Sequence, residues 1–496
     1  MTPGAGGPRR SYMLDGSVRR IEEGRVLVGG SPLKVLRLTA SGAALVDRLA
    51  AGESVPAGSL VDRLLDGGAI HPTPSSAAPG PFTLADVTVV IPTLNTAVDG
   101  LVGGLGTVGR IVVVDDGSTP VIDVRQRDGG RPIVDLVRRP SNGGPGAART
   151  DGLALVTTPL VLFVDADVRL PDNDGRWLDV LLAHFVDDRL ALVAPRVASE
   201  PAPSGPPGAT GDIAKVIARY EQARAPLDLG GSPGPVRART RVSYVPSAVW
   251  LARIDALRAV GGFDSAFRTG EDVDLVWRLD EQGWRARYEP ATVVHHAPRA
   301  TIAGFVRQRF GYGASAGPLA VRHPGALAPV GVSAWSAAVW GLAALGPTGV
   351  ATGAAVGIGS AVALARRFHH LSHPVAEAMR LAGRGHLYAG RQLASAVARP
   401  WWPLALVASV ASRRGRRVVA VALVVPALVD WYRTRRAHRL DPARYLLFRL
   451  LDDGAYGLGV WRGAVRAGTI APLVPDLTSW PRPSRYEQRR RPAADR

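Results

Sequence analysis

The chain has 496 residues, 46% of them hydrophobic, and a formal net charge of +18 from 60 Lys and Arg against 42 Asp and Glu. That length exceeds one ordinary core and predicts two or three domains. The absence of Cys excludes a disulfide framework, a thiolate nucleophile and a Cys-ligated metal.

In chain order, residues 1–11 carry Gly, Pro and Arg without an apolar core, so a cleaved secretion signal is not expected. Residues 18–72 read as a small folded unit. Val18–Ile21 and Arg25–Val28 are short strand candidates around Glu22-Glu23-Gly24, and Thr39-Ala40-Ser41-Gly42 is a helix start. Ala43–Ala50 and Ser59–Leu65 carry helical spacing, with Leu45, Val46 and Leu49 in one stripe. The stretch 72–81, rich in Pro, Ser, Ala and Gly, reads as linker. The expected divisions are a first domain over 1–72, a linker over 73–83, a catalytic domain over 84–322, a hydrophobic and basic helical region over 323–477, and a disordered tail over 478–496.

Val87–Ile91 and Ile111–Val114 are buried-strand runs. The first breaks at Pro92-Thr93-Leu94-Asn95 and the second at Asp115-Asp116-Gly117-Ser118. Asn142 to Arg149 is a glycine-rich loop entering a helix that runs to about Leu155. Backbone amides and the dipole at such a helix start, around Gly146, suit a phosphate. Arg149 adds a guanidinium able to fork a diphosphate. Val161-Leu162-Phe163-Val164 then runs straight into Asp165-Ala166-Asp167. Alternation along a strand would put both carboxylates on one face. The carboxyl end of a strand in an open α/β sheet is where ligands bind. Two hard oxygen ligands side by side suit Mg2+ or Mn2+ shared with a diphosphate. A D-x-D triplet on its own is more often a strand ending in a polar turn, so the reading draws its weight from the motifs around it. Strand, crossover, strand repeats predict an α/β domain with a parallel sheet and helices on both faces, with Thr93, Asp116 and Asp167 along one rim.

Val242–Ala248 reads as another strand, leading to a helix from about Arg253. Gly270-Glu271-Asp272 opens a further helix, and acids in a first turn also satisfy the helix dipole. After Tyr288-Glu289-Pro290 and Val293-Val294 come His295 and His296. A lone His is more often a satisfied core or surface residue than a ligand, although a neutral imidazole suits Mn2+.

Between His323 and Arg366 no charged residue occurs. Ala328–Leu345 and Val350–Ala365 are each about long enough to cross a bilayer, while Trp401–Ala411 and Val418–Val429 are shorter and read as interfacial or re-entrant. Trp401-Trp402 and Trp431-Tyr432 are placed to sit at the headgroup level. From Arg366 onward, 24 Arg face eight Asp or Glu, a net of +16. No nucleic-acid motif accompanies that charge and apolar segments do, so the expected partner is an anionic membrane surface rather than nucleic acid. The Arg clusters place the basic segments on the cytoplasmic side, at the membrane face or in the cytoplasm.

The motifs V-V-I-P-T-L-N, V-V-D-D-G-S, G-P-G-A-A-R and F-V-D-A-D-V occur in the order of the family 2 nucleotide-sugar glycosyltransferases, which they resemble strongly. The resemblance implies the GT-A fold, a UDP-sugar donor held by Pro92, Thr93, Asp115, Asp116, Gly146, Arg149 and Asp165, and a Mn2+ or Mg2+ ion on Asp165, Asp167 and His295, with His296 as the alternative. It implies that Asp272 is the catalytic base, with Glu271 as the neighbour that competes for that role, and that a single displacement inverts the anomeric centre. The family usually has Asn where this chain has Thr150. Arg307 to Gly313 resembles the Q-x-x-x-Y-G helix that passes under the acceptor site in many members, and the Ser199–Gly234 insert, around a helix over Ile213–Ala225, is expected to border that pocket.

The layout as a whole is similar to one subfamily, the mycofactocin glycosyltransferases, through G-G-S-P-L-K-V-L-R-L, S-Y-V-P-S-A, G-E-D-V-D-L-V-W-R-L and the Tyr312–Gly325 run. Residues 18–72 resemble winged-helix, PqqD-like peptide-recognition domains. Together these imply transfer of glucose from UDP-glucose onto a peptide-derived redox cofactor, building a β-1,4-linked glucan. Two other readings stand beside it: a hexosyl- or rhamnosyltransferase acting on a lipid-linked or cell-wall glycan, and a non-catalytic peptide-binding membrane scaffold.

Overall fold

The computed structural model describes residues 9–73, 80–105, 108–124, 133–171, 176–201 and 213–478. The chain divides into two compact units, one of residues 1–200 with 225–297, the other of residues 201–224 with 298–496. The small amino-terminal module is part of the same unit as the catalytic sheet, and the carboxyl-terminal unit begins at 298 and recruits the 201–224 excursion. The tail expected over 478–496 lies outside the described residues, apart from Thr478.

In the first unit the central sheet is built from β1 (Val87–Thr93), β2 (Arg110–Asp115), β3 (Ile133–Arg138), β4 (Leu160–Val164), β5 (Val168–Arg169), β6 (Leu190–Ser199), β7 (Gly234–Pro235), β8 (Val249–Arg253) and β9 (Arg285–His296). The strand order is β3-β2-β1-β4-β8-β6-β9-β5, with β7 also on β9. The sheet is mixed rather than parallel: β3, β2, β1 and β4 run parallel, as do β6 and β9, while β8 enters antiparallel between β4 and β6. The strand expected over 242–248 is this β8, placed after that stretch. Val242–Ala248 instead forms an extended loop whose end is tied to the sheet by the Asp165 amide donating to the Ala248 carbonyl, 2.8 Å.

The strands are apolar runs because both faces are covered. Val87, Val89, Ile91, Ile111, Val113, Leu162, Val164 and Leu251 are fully buried on one side with Leu178, Leu181 and Phe185 of the Arg176–Val186 segment. The opposite face takes helix α1 (Pro145–Ala154). Gly152 allows it to approach so closely that a Cβ there would lie 2.4 Å from Val90 Cγ1.

The amino-terminal module holds the three-stranded antiparallel sheet Arg19–Ile21, Val26–Gly29, Lys34–Arg37, and two helices, Ala40–Ala50 and Ser59–Asp66. Thr39 caps the first helix through its hydroxyl on the Gly42 amide. Val46, Leu49, Leu64 and Ile70 form its core. Three arginines of the catalytic part hold it. Arg285, 8% exposed at the start of β9, bonds Asp62 at 2.7 Å and Asp66 at 2.9 Å, and also Asp187 at 3.0 Å. Arg241 reaches Asp15 at 2.8 Å, and Arg237 donates to the Asp66 carbonyl at 3.2 Å.

The second unit is helical among the described residues, apart from the short parallel pair Gly331–Ser333 and Asp476–Thr478. Two long helices, Ile302–Ala314 and Pro442–Arg466, cross with glycine facing backbone. A Cβ on Gly313 would sit 2.0 Å from the Tyr456 carbonyl oxygen, and one on Gly459 2.1 Å from that of Phe310. In the adjoining Ala316–Arg322 helix, a Cβ on Gly317 would sit 2.0 Å from the Gly463 carbonyl oxygen. Arg309 is buried beside them on Glu221 at 2.8 Å and Asp452 at 3.2 Å. The first expected membrane span, Ala328–Leu345, is not one helix. Ser333 caps a helix over Ala334–Ala343 only, ten residues and too short to cross. Pro347–Arg367 is the one helix among the described residues that is long and apolar enough by itself, and only 17% of its most apolar window is buried. Pro374–Ala398 and Trp402–Ala411 qualify only as a pair bent by 86°.

Candidate active site

The carboxyl ends of β1 and β2 carry two tightly wired corners. Asp115 is fully buried. Its Oδ1 accepts from the Ser118 amide at 2.8 Å and its Oδ2 from Arg138 at 2.6 Å. Burial by itself would raise this carboxyl; Ser118 and Arg138 override that and hold it below the usual range. Asp116 accepts the Gly143 and Gly144 amides at 2.9 and 2.8 Å and pairs with Arg139. The second acid of the pair therefore shapes the glycine-rich loop that opens α1, where Gly144 sits at φ +92°. The Thr93 hydroxyl donates to the Thr96 carbonyl at 2.7 Å, so Pro92-Thr93 forms a fixed corner beside Asp115 and Asp116.

The D-x-D pair does not lie in a strand. β4 ends at Val164, and Asp165-Ala166-Asp167 is a turn into β5, because Val168 and Arg169 leave the row to pair with the end of β9. That pairing sets Val168 against His296 and Arg169 against His295. The histidine that meets the acid is consequently His296, whose Nε2 lies 3.1 Å from Asp167 Oδ2. The contact thus falls to the alternative, His296, and not to His295. Alternation along β9 turns its ring to the other face. There burial and the nearby Arg169 and Arg196 charges push its pKa down.

Arg149 also differs from expectation. It is 2% exposed, and its fork is already occupied by Asp165 Oδ1 at 2.5 Å and Glu271 Oε1 at 3.0 Å. Its guanidinium carbon lies 5.6 Å from the centre of the Phe263 ring, which packs on Trp250 and Phe163. Arg149 thus fastens the D-x-D turn to the start of helix α2 (Glu271–Glu281). Gly146 lies in the same contact: a Cβ there would come 3.2 Å from Glu271 Cγ. Thr150, in place of the family's Asn, donates to the Gly146 carbonyl at 2.9 Å.

Asp272 follows at the first turn of α2, after Gly270 in the left-handed region at φ +84°. It is half-buried, with the Val273 amide on one oxygen at 2.8 Å and the Ser247 amide near the other at 3.3 Å. Burial, reinforced by the neighbouring Glu271 charge, pushes its carboxyl up to about 7. Of the two acids proposed as base, Glu271 is tied down by Arg149 and Asp272 is the one poised to exchange a proton near neutrality.

Ser247, Phe263, Arg138 and Arg139 are site residues that the motif reading missed. The β-branched and apolar run Ile133–Val137 before the two arginines was the available signal for β3. The S-Y-V-P-S-A element stood out only as a strand and a family mark.

Asp165 and Glu271 bond the Arg149 guanidinium with Asp272 close by, while Asp167 pairs with His296. Among the described residues no three His, Asp or Glu side chains converge as a ready-made metal site, so the expected trio Asp165, Asp167 and His295 is not assembled. The Asp167–His296 pair nevertheless fits a divalent cation. Neighbouring ligands of an octahedral ion with bonds near 2.1 Å stand about 3 Å apart, and such ions take one or two protein ligands and complete their shell with substrate phosphates.

Sheet, D-x-D turn and acid-started helix together define a GT-A-fold glycosyltransferase. The Glycosyl transferase family 2 model matches residues 88–235, and the Glycosyl transferase family group 2 model matches 179–425. The pre-mycofactocin glycosyltransferase of Mycobacterium tuberculosis, strains CDC 1551 / Oshkosh and ATCC 25618 / H37Rv, is 41% identical over 480 residues, covering 94% of this chain and 97% of that protein. The chain belongs to the pre-mycofactocin glycosyltransferase family. The succinoglycan biosynthesis protein ExoA of Rhizobium meliloti is 35% identical over 24% of this chain and 38% of its own length. Among solved structures, a mannosyltransferase from Pyrobaculum calidifontis in complex with GDP-Man and Mn2+ aligns with 64% of this chain and 89% of its own, at 18% identity and a TM-score of 0.33.

Proposed function

We propose that this protein is a metal-dependent, inverting glycosyltransferase that moves glucose from UDP-glucose onto the peptide-derived redox cofactor mycofactocin or its precursor, extending a β-1,4-linked glucan. The observation that carries the chemistry is Asp272: a half-buried carboxyl held up to about 7 beside the Arg149-bridged acids. Asp272 takes the proton from the acceptor hydroxyl as that oxygen attacks the anomeric carbon. No second carboxylate is needed as a protein nucleophile, so the displacement is single and inverts. Arg149 keeps Asp165 and Glu271 in place. Pro92, Thr93, Asp115, Asp116 and the Gly146 helix start frame the nucleotide's seat. Mn2+ or Mg2+, held by Asp167 and His296 with Asp165 adjacent, would supply the charge that stabilises the departing diphosphate.

Family membership supports a peptide-derived acceptor, and so does the amino-terminal module. Its Lys34–Arg37 strand is a sheet edge with Leu33 and Val35 exposed, the kind of edge to which an extended peptide adds. The exposed Pro347–Arg367 helix favours association with the cytoplasmic face of a membrane and keeps a lipid-linked acceptor as the second reading. The deciding experiment is mass analysis of products from the purified chain with UDP-glucose, other UDP- and GDP-sugars, and either the reduced mycofactocin precursor or a lipid-linked glycan. Hexose additions to the precursor only with UDP-glucose are expected. Transfer to the lipid acceptor alone would overturn the acceptor assignment, and no donor turnover at all would overturn the enzyme reading.

A further inference from the structure

The carboxyl-terminal unit holds a cavity of about 250 Å3 that glycosyl transfer does not use. Its walls carry four arginines, Arg224, Arg391, Arg399 and Arg449, and two acids, Asp430 and Asp453. The acids are already shared. Asp430 Oδ2 takes both Arg224 and Arg449 at 2.7 Å, and Asp453 takes Arg399 at 2.6 Å and Arg449 at 2.5 Å. Three guanidiniums therefore divide two carboxylates, and among the described residues Arg391 has no carboxylate partner. Arg224 Nε is buried without an acceptor. A cavity whose lining has a net charge of +2, and whose guanidinium N–H groups far outnumber the free acceptors, calls for an anion with several oxygens.

The surroundings say which kind. The helix Arg413–His438 gives the cavity Ala422, Leu423, Pro426 and Asp430. The same helix exposes Val421, Val425 and Leu428, and the neighbouring Trp402–Ala411 helix exposes Leu404, Val407 and Val410. A soluble anion gains nothing from that aliphatic surface, whereas an amphiphile's chains do. Basic pockets between apolar helices are the sites that take lipid headgroups. We propose that this cavity binds the phosphate group of an anionic lipid, with the acyl chains lying along the exposed valine and leucine face.

The test uses the full chain with phosphatidylcholine vesicles, with and without phosphatidylglycerol, and reads co-flotation. Arg391→Gln breaks no ion pair, so the fold is retained, and glycosyl transfer to a soluble acceptor should be unchanged. It is expected to weaken binding to the phosphatidylglycerol vesicles about tenfold, and Arg433→Gln, an equal charge loss outside the cavity lining, by no more than about fivefold, the factor of one Arg near an anionic surface. Arg391→Lys should recover part of the loss. Equal losses in the two glutamine variants would mean diffuse attraction only and would overturn the proposal. Displacement by excess inorganic phosphate at constant ionic strength would assign the cavity to the free ion and overturn it as well.

Discussion

Asp272 concentrates the residue-scale consequences. Its folded-state pKa, about 7 against an ordinary 3.8, means that the base is protonated below neutrality. The acid limb of kcat/KM should therefore lie near pH 7, with activity rising as pH increases through it. The sign reverses for stability. The folded state binds the extra proton between pH 4 and 7, so the destabilisation from ionising Asp272 grows across that window and is complete above it. Asp272→Asn is expected to abolish transfer, keep donor binding, and raise the thermal midpoint at pH 8 but not below pH 4. Loss of donor binding would place Asp272 in the donor seat instead. Glu271→Gln removes the like charge that helps to raise Asp272, so the acid limb should move down by about one pH unit; an upward shift would contradict the arrangement. Arg149→Met leaves two acids without their shared cation, and breaking a buried pair of this kind costs about 3–5 kcal/mol. Urea unfolding would show it, along with loss of activity.

At the scale of elements, glycines set the close approaches. Gly152→Val would drive carbon into Val90 and should cost about 1–3 kcal/mol by overpacking. Gly463→Leu puts a side chain where the Ala314 carbonyl oxygen already lies 2.3 Å from the Cβ position. It should make the carboxyl-terminal unit protease-sensitive while leaving the catalytic sheet folded. Strand and helix types were legible wherever an apolar run met a strong breaker: β1, β2, β4, α1 and α2 fall close to where their motifs place them. The misses share a physical cause. Asp165 to Asp167 was read by strand alternation, but whether a chain continues straight depends on the partner strand, and β5 turns aside to meet β9. The choice between His295 and His296 depends on the same register, which no local pattern encodes. The residue type of Arg149 fits phosphate, but its protein contacts are not local. Its actual partners come from 16 and 122 positions away.

For the whole molecule, the arginine contacts make the amino-terminal module part of the catalytic unit. Deleting residues 1–72 would strip Arg285 of Asp62 and Asp66 and uncover the surface beneath it. The truncated chain should therefore melt lower than the full one even where no peptide is bound, as calorimetry of the two would show. An unchanged midpoint would mean that the module is only tethered. The apolar helices were visible as composition, yet their extent was not, because capping by Ser333 cuts a run that hydropathy alone would join.

The antiparallel β8 has a consequence for how the protein is made. It fills the place beside β4, yet it emerges from the ribosome some 85 residues later. Until then the nascent chain displays a bare, entirely aliphatic and aromatic edge at Leu160–Val164, the sort of unpaired margin that sticks to its neighbours. Translation stalled near residue 240 should yield chaperone-bound or aggregated intermediates, and stalling past residue 300 should release a protease-resistant one.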